Sequence, residues 1–351
     1  MRRYEVEIGC RISFVLLEER IIMNEFDYIR KIKQPTYRQS SLIKGVGDDA
    51  AVIRGGTYDM VTAVDTFVEN IHFSSKTMPS YYIGYRLLAA NISDMAAMGA
   101  IPKFYLVSII IPDSTKQEKL MDIHKGMDTL AKQYNMDLIG GDTVSGKELS
   151  LSITIIGHVN PNEVRYRSDA KPNDIIFVTG TLGDAALGLH LLQLNKKIKH
   201  SKYFIRKHQQ PTPRIEFARK ASKINRIALN DVSDGIANEL QEISDASNVD
   251  IIIDDDAIPI SDELKEVRTT KENEWKYFGG EDFELVGTVA ESDFAILQSI
   301  GEGLDIQVTK IGKVLFKQAK KPQVFVRKQN TISKLENRGY THLSRSIEDE
   351  I

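Results

Sequence analysis

The feature that most constrains the fold of this 351-residue chain is a stretch at residues 89–99 that is apolar on nearly every side. A helix of that composition has no polar face to turn toward water, so we expect it to be buried. One ionisable residue, Asp94, lies within it, close to Ala90, Asn91 and Met98 at helical spacing. A buried carboxylate is stable only when it is paired or bound to metal. Two roles are therefore open for Asp94: a structural ion pair or hydrogen bond, and a metal ligand.

Glycine turns that carry acidic residues recur at the ends of apolar runs along the chain. Asp48 and Asp49 follow a Gly-Val-Gly turn, and Asp65 ends the apolar run at residues 61–64. Glycine permits sharp turns, and α/β proteins gather ligand sites at the ends of buried strands. The other turns of this type are Gly140-Gly141-Asp142, Asp231-Val232-Ser233-Asp234-Gly235 and Gly279-Gly280-Glu281-Asp282. Any one of them could be a plain Asx turn or a helix N-cap. Their recurrence in both halves of the chain favours a functional site.

The donor atoms in these turns are typical of a magnesium site. The chain has only one cysteine, Cys10, and seven histidines, whereas carboxylate oxygens are abundant. Oxygen donors suit Mg²⁺, and Mg²⁺ in proteins commonly accompanies phosphate groups. A P-loop is nearly present at residues 141–148, but Glu148 stands where Ser or Thr must ligate the ion. The protein-kinase signatures are also missing, so the phosphate chemistry needs another scaffold.

Composition excludes several classes of partner. The 46 basic and 49 acidic residues are well mixed, with a formal net charge of −3. No polycationic face therefore indicates nucleic acid or an anionic membrane as a partner. No run of about 20 apolar residues is present that could cross a bilayer. The single cysteine fits a reducing compartment, so we expect a cytoplasmic protein.

Strand and helix patterns alternate along the chain and predict an α/β protein with two domains. We expect an N-terminal α/β domain at residues 23–160 and a C-terminal α/β domain at 161–351. Met23 opens an amphipathic helical pattern. Residues 1–22 are therefore expected to be an N-terminal extension or the product of a start assigned too far upstream.

Taken in order, the motifs resemble those of the thiamine-monophosphate kinases. The resemblance runs from about residue 23 to the C-terminus. It is carried by Gly-Val-Gly-Asp-Asp-Ala at 45–50, Asp65-Thr66 with His72 seven residues after Asp65, Asn-Ile-Ser-Asp-Met-Ala-Ala-Met-Gly-Ala at 91–100, Gly-Gly-Asp-Thr at 140–143, Asp-Val-Ser-Asp-Gly at 231–235 and Gly-Gly-Glu-Asp-Phe-Glu-Leu at 279–285.

The resemblance implies a two-domain aminoimidazole ribonucleotide synthetase-like fold of the α/β (α+β) class, each domain a mixed sheet packed with helices. It also implies a homodimer joined through the N-terminal domains. The implied reaction is the ATP-dependent phosphorylation of thiamine monophosphate to thiamine diphosphate, the last step of thiamine diphosphate biosynthesis, with several Mg²⁺ ions. A phosphate monoester is largely dianionic at pH 7, so its oxygen is already a nucleophile, and no covalent nucleophile or general base is required.

The same resemblance assigns site residues. Metal positions are Asp49, Ala63, Val64, Asp65, Asp94, Asp142, Asp231 and Asp234. Ala63 and Val64 stand where the family often has Ser and Thr. ATP-binding positions are Gly141, Asp142, Arg167 and Ser233, and substrate-binding positions are His72, Glu281 and Tyr340.

Two alternatives remain at this level. One is another ATP-using enzyme of the same superfamily, such as selenophosphate synthetase, which usually has a reactive Cys near its N-terminal glycine loop. Here the only Cys lies in the N-terminal extension. The other is a non-catalytic protein that binds magnesium and nucleotide without turning the nucleotide over.

Overall fold

The computed structural model describes residues 36, 40–44, 48–267 and 269–336. The extension predicted for residues 1–22 and the predicted substrate residue Tyr340 lie outside the described residues. The two sheets described below belong to one compact unit. Within the described residues, no helix is both long enough and apolar enough to span a lipid bilayer.

The first half of the described chain forms a mixed sheet covered by two helices. Its elements are β1 (Leu42–Lys44), β2 (Ala51–Gly55), β3 (Tyr58–Val68), α1 (Ser80–Ala97), β4 (Ile101–Ile111), α2 (Gln117–Gln133), β5 (Asp137–Ser145) and β6 (Ser150–Val159). Among the described residues the strand order is β1-β2-β3-β6-β4-β5. Strands β4 and β5 pair in parallel, whereas the other neighbours are antiparallel.

The second half forms another mixed sheet. Its elements are β7 (Ile175–Thr179), α3 (Asp184–Gln193), α4 (Ser201–Gln209), α5 (Ile215–Ala221), β8 (Ile227–Asp231), α6 (Ile236–Ser247), β9 (Asp250–Asp254), α7 (Asp262–Val267), α8 (Glu272–Phe278), β10 (Leu285–Val289), α9 (Phe294–Glu302), β11 (Val308–Leu315), β12 (Val324–Lys328) and β13 (Thr331–Lys334). The strand order in the described chain is β13-β12-β9-β11-β7-β10-β8, with β9 and β12 parallel. The prediction of two mixed sheets packed with helices is confirmed. The boundary predicted at residue 160 falls between β6 and β7 and stays a prediction.

The surroundings of helix α1 explain the apolar composition of residues 89–99. The helix packs on β3 and β6 of the first sheet and also contacts β8 and α5 of the second half. Leu87, Leu88, Ile92 and Met95 are fully buried, so the helix is covered on more than one side. A helix enclosed in this way needs apolar residues around its whole circumference. The prediction that it is buried is confirmed.

Helices α1 and α2 approach each other closely through glycine. A Cβ atom on Gly84 would lie 1.9 Å from the carbonyl oxygen of Ile123, and one on Gly126 would lie 1.9 Å from that of Tyr81. No side chain fits at either position, so these two glycines fix the spacing between the helices. That spacing in turn fixes the position of α1, which carries Asp94 and Arg86.

Candidate active site

Three carboxylates from distant parts of the chain converge beside α1. Oxygen atoms of Asp49, Asp94 and Asp231 all lie within 4.8 Å of one another. Asp49 precedes β2, Asp94 lies on α1, and Asp231 ends β8. The cluster forms because α1 passes between the first sheet and the end of β8. Asp49 and Asp94 are partly buried, and Asp231 is buried.

Asp65 faces the same cluster from β3. It pairs in register with Ile153, a fully buried residue of β6 on the face that α1 covers. Burial and then the neighbouring Asp231 raise the pKa of Asp65 to about 7. Burial, and after it Asp65, Asp231 and Asp49, raise the pKa of Asp94 well above its usual range. These carboxyl groups repel one another, and a cation placed among them would remove the repulsion.

The donor set fits Mg²⁺. It consists of carboxylate oxygens gathered within reach of a common ion, and Mg²⁺ takes oxygen ligands. The ligand roles of Asp49, Asp65, Asp94 and Asp231 stay predictions, but the structure brings the four residues together.

Arg167 supplies positive charge at the edge of the cluster. Its Nη2 atom donates to Asp49 Oδ1 at 2.6 Å, and Nη1 lies 2.8 Å from Glu242 Oε2. Its Nε atom donates to the side-chain oxygen of Asn230 at 3.1 Å. Arg167 therefore connects the loop before β2 with β8 and α6. A guanidinium held at this position can also meet the phosphates of a nucleotide.

Glu239, which is not among the site residues predicted from the sequence, organises the loop at residues 231–235. This buried residue of α6 accepts hydrogen bonds from Asn230 Nδ2 at 2.6 Å and from the Asp234 backbone N–H at 3.0 Å. Ser233 Oγ lies 3.4 Å from Glu239 Oε1, the oxygen that also accepts from the Asp234 N–H. Burial, followed by the nearby Glu242, raises the pKa of Glu239 well above its usual range. The position of Glu239 in the first turn of α6 was the sequence signal for this role.

A hydrogen bond joins the two halves of the chain at the cluster. Ser93 Oγ on α1 donates to Asp231 Oδ2 at 2.6 Å. Asp231 is thus oriented by the residue next to Asp94. Asp234 lies in the same loop as Asp231 but is not one of the three clustered carboxylates.

The predicted residues Gly141 and Asp142 lie elsewhere. Asp142 is exposed on β5, in register with Ser108, which is itself in register with Ser152. Ser152 Oγ accepts a hydrogen bond from Thr66, so this face is opposite the one that bears Asp65. Within one chain, the structure does not bring Asp142 to the cluster. Its metal and nucleotide roles, and that of Gly141, stay predictions.

Ala63 and Val64 occupy opposite faces of β3. Ala63 is buried on the face toward α1, whereas Val64 is 61% exposed on the other face. Neither side chain has a donor atom for a metal ion. Any role in metal binding would therefore use backbone carbonyls.

The loop that carries Glu281 is bonded directly to the loop that carries Ser233. The Glu281 N–H donates to the Ser233 carbonyl at 2.7 Å, and the Phe283 N–H donates to the Val232 carbonyl at 3.0 Å. A Cβ atom on Gly280 would lie 2.3 Å from the Ser233 carbonyl oxygen. Glycine is required there because the two backbones touch. Glu281, which is predicted to bind substrate, and Ser233, which is predicted to bind ATP, therefore lie on two loops that are hydrogen-bonded to each other.

The other acids of this motif have structural roles. Asp282 accepts hydrogen bonds from the backbone N–H groups of Gly183 and Ala185 and so caps the start of α3. Glu284 is buried and pairs with Arg214 through both carboxylate oxygens. Glu281 differs from these two acids because its partner, Arg86, also contacts the predicted substrate residue His72. Arg86 forms an ion pair with Glu281 and approaches the His72 carbonyl oxygen.

Comparison with known proteins agrees with this fold. Residues 47–159 match the family model "AIR synthase related protein, N-terminal domain", and residues 171–324 match its C-terminal domain. Thiamine-monophosphate kinase of Bacillus subtilis is 44% identical over 327 residues, which cover 91% of this chain and 99% of that protein. The Haemophilus influenzae enzyme is 32% identical over 92% of this chain and 99% of its own.

Solved structures give the same result. AaThiL, solved as a complex with AMPPCP and TMP, superposes with a TM-score of 0.79 at 27% identity, covering 91% of this chain and 97% of its own. Thiamine-monophosphate kinase of Stenotrophomonas maltophilia superposes with a TM-score of 0.71 at 32% identity, covering 87% and 96%.

The family-model matches to residues 47–159 and 171–324 place the chain in the AIR synthase related class. Within that class, the chain belongs to the thiamine-monophosphate kinase family.

Proposed function

We propose that this protein transfers the γ-phosphoryl group of ATP to thiamine monophosphate and releases thiamine diphosphate and ADP. The observation that carries the proposal is the convergence of Asp49, Asp94 and Asp231 within 4.8 Å. The backbone hydrogen bond between Ser233 and Glu281 also holds a predicted ATP-binding residue next to a predicted substrate-binding residue. Family membership supports the choice of thiamine monophosphate as acceptor.

The chemistry requires little from the protein beyond position and charge. The acceptor phosphate is its own nucleophile, so the main obstacle is repulsion between two polyanions brought in line. Mg²⁺ held by Asp49, Asp65, Asp94 and Asp231 would neutralise part of that charge when bound. Arg167 would meet phosphate oxygens, and Glu239 holds the Ser233 loop in place. His72 and Glu281 orient the thiamine part of the acceptor.

A comparison of acceptors tests the proposal. ADP release is measured with ATP and Mg²⁺ in the presence of thiamine monophosphate, thiamine, selenide, or none of these. We expect release only with thiamine monophosphate, because thiamine lacks the phosphate nucleophile. ATP consumption that depends on selenide would instead support a selenophosphate synthetase. ATP binding without turnover under any of these conditions would support a nucleotide-binding protein.

We further propose that the protein is a homodimer joined through the first sheet. The sheet face opposite α1 exposes large apolar side chains on neighbouring strands, namely Met60, Val64, Phe104, Ile110 and Val144. Their strand registers place all of them on one face. A contiguous apolar face of this kind is typical of a protein interface, and a second copy of the chain is the partner that the family resemblance implies.

A charge on this face should dissociate the dimer. Phe104→Glu places an unpaired carboxylate in the centre of the proposed interface, where its desolvation is unfavourable. We expect wild-type protein to sediment at twice the mass of one chain and the variant to sediment as a monomer. Met121→Glu is the matched control, because Met121 is an exposed apolar residue of α2 and lies outside that face. A variant at Phe104 that remains dimeric would contradict the interface.

We place the reaction in the cytoplasm. ATP is its co-substrate, and a chain with one cysteine is suited to a reducing compartment.

A further inference from the structure

An arginine with no solvent exposure, Arg86, lies next to the predicted substrate residue Glu281. Arg86 belongs to α1, and its Nη2 atom forms an ion pair with Glu281 Oε1. Burial lowers the pKa of Arg86 to about 9, so the guanidinium is still charged at neutral pH. Glu281 belongs to a recognisable sequence motif, whereas no motif indicates a role for Arg86.

Arg86 also contacts the structure around the other predicted substrate residue, His72. Its guanidinium carbon lies 5.4 Å from the centre of the Phe67 ring, and Nη1 lies 3.5 Å from the His72 carbonyl oxygen. The Phe67 and His72 rings are stacked, with centroids 5.3 Å apart and an interplanar angle of 8°. His72 Nδ1 accepts a hydrogen bond from the Val68 N–H at 3.1 Å. One buried cation thus connects both sides of the predicted substrate site.

A buried histidine approaches Glu281 from the second half of the chain. His208 of α4 is 1% exposed, and its Nδ1 atom lies 3.5 Å from Glu281 Oε2. Among the described residues, neither ring nitrogen makes a hydrogen bond. Burial, and then Arg86, lower the pKa of His208 well below its usual range, so the imidazole is neutral at pH 7. A neutral imidazole still has one N–H group that can be directed at a carboxylate.

We propose that Arg86 and His208 are positioning residues that hold the carboxylate of Glu281 in the orientation that binds the thiamine part of the acceptor. The proposal rests on the proposed function, since it concerns the substrate site of that reaction. Arg86 engages Oε1 and His208 faces Oε2, so the carboxylate has one preferred plane. A carboxylate has about four lone-pair positions, which leaves acceptor capacity for the ligand.

A purely structural role does not account for this arrangement. Replacing a buried ion pair by apolar residues of similar volume is often neutral or stabilising, so the pair is weak evidence for stability. Glu281 also has a backbone φ of 70°, a left-handed conformation that is uncommon for residues other than glycine. The backbone and both carboxylate oxygens are therefore constrained together. Such constraint favours precise placement of the carboxylate.

Kinetics on matched variants tests the proposal. Arg86→Met removes the charge with little loss of length, Arg86→Lys keeps the charge but not the planar fork, and His208→Gln removes the ring. We expect Arg86→Met to raise the KM for thiamine monophosphate about tenfold or more, with a change of less than about twofold in the KM for ATP. Arg86→Lys should be intermediate, because a point charge cannot fix the plane of a carboxylate. His208→Gln should raise the same KM by a smaller factor.

The control is another buried arginine. Arg165 donates to the backbone carbonyls of Ala221, Ser222 and Ile224 and has no carboxylate of the site as a partner in the described structure. Arg165→Met should lower the melting temperature without changing the ratio of the KM for thiamine monophosphate to the KM for ATP. An equal change in both KM values in the Arg86→Met variant would overturn the proposal.

A double-mutant cycle shows whether Arg86 acts through Glu281. In a Glu281→Gln background, Arg86→Met should raise the KM for thiamine monophosphate by less than about twofold, because the group that it orients is already altered. Full additivity of the two changes would overturn the proposal.

Calorimetric binding of thiamine monophosphate separates this proposal from the proposed function. Weaker binding in Arg86→Met than in wild type supports the positioning role even if no phosphoryl transfer is detected. Equal binding in the two proteins overturns that role even if wild type is active. Absence of turnover in wild type contradicts the proposed function alone.

Discussion

Asp94→Asn is expected to lower the rate of thiamine diphosphate formation by about a hundredfold to a thousandfold, the range typical for loss of one charge-stabilising group. Asp94 is one of three carboxylates within 4.8 Å, and Asn cannot carry the charge that holds a divalent cation. The same change should stabilise the metal-free protein. Because the folded pKa of Asp94 is raised, ionising this group destabilises the fold as pH rises above about 4, and Asn removes that effect.

The test combines turnover with thermal unfolding at pH 7.5. In EDTA, the variant should melt roughly 2 °C or more above wild type. Added Mg²⁺ should stabilise wild type and leave the variant nearly unchanged. Asp59→Asn is the control, because Asp59 is a buried carboxylate on β3 that pairs with Arg54 outside the cluster. Near wild-type turnover in Asp94→Asn would exclude Asp94 as a metal ligand.

Arg167→Met is expected to destabilise the metal-free protein by about 3 kcal/mol or more, as is typical when one partner of a buried ion pair is removed. Arg167 is the cation that contacts Asp49 and Glu242, so its loss leaves buried acidic groups without a counter-charge. Mg²⁺ bound among Asp49, Asp94 and Asp231 would restore part of that charge. We therefore expect Mg²⁺ to recover part of the lost melting temperature, and kcat to fall because a predicted ATP contact is missing.

Arg226→Met distinguishes this effect from ordinary loss of an ion pair. Arg226 forms a two-pronged pair with the buried Asp174, which is not a member of the carboxylate cluster. The variant should also lose stability, but Mg²⁺ should recover none of it beyond its effect on wild type. Equal recovery in both variants, or none in either, would contradict a cation site next to Arg167.

The sequence predicts the fold and the centre of the site because both depend on local patterns. An apolar stretch without a polar face must be buried, and α1 is enclosed by β3, β6, β8 and α5. Asp94 could be identified because a carboxylate inside such a helix is stable only when it is paired or bound to a metal ion. Asp231, at the end of β8, and Asp65 then approach Asp94, although Asp65 lies within β3 and not at the strand end that the sequence pattern indicated.

The positioning residues could not be predicted because they depend on contacts between distant elements. Arg86 and His208 lie on helices where a charged or polar residue usually faces water. Only the packing of α1 and α4 against the 279–283 loop brings Arg86 and His208 to Glu281. The location of Asp142 on the exposed face of β5 depends on strand register, which a local motif does not determine.

The transfer of a labelled phosphoryl group tests the central claim most directly. Protein is incubated with Mg²⁺, thiamine monophosphate and ATP labelled in the γ-phosphate, and the products are separated by chromatography. We expect the label in thiamine diphosphate, in an amount equal to the ADP formed, with no transfer when Mg²⁺ is chelated. Label that appears only in inorganic phosphate, or that stays in ATP, would contradict the claim.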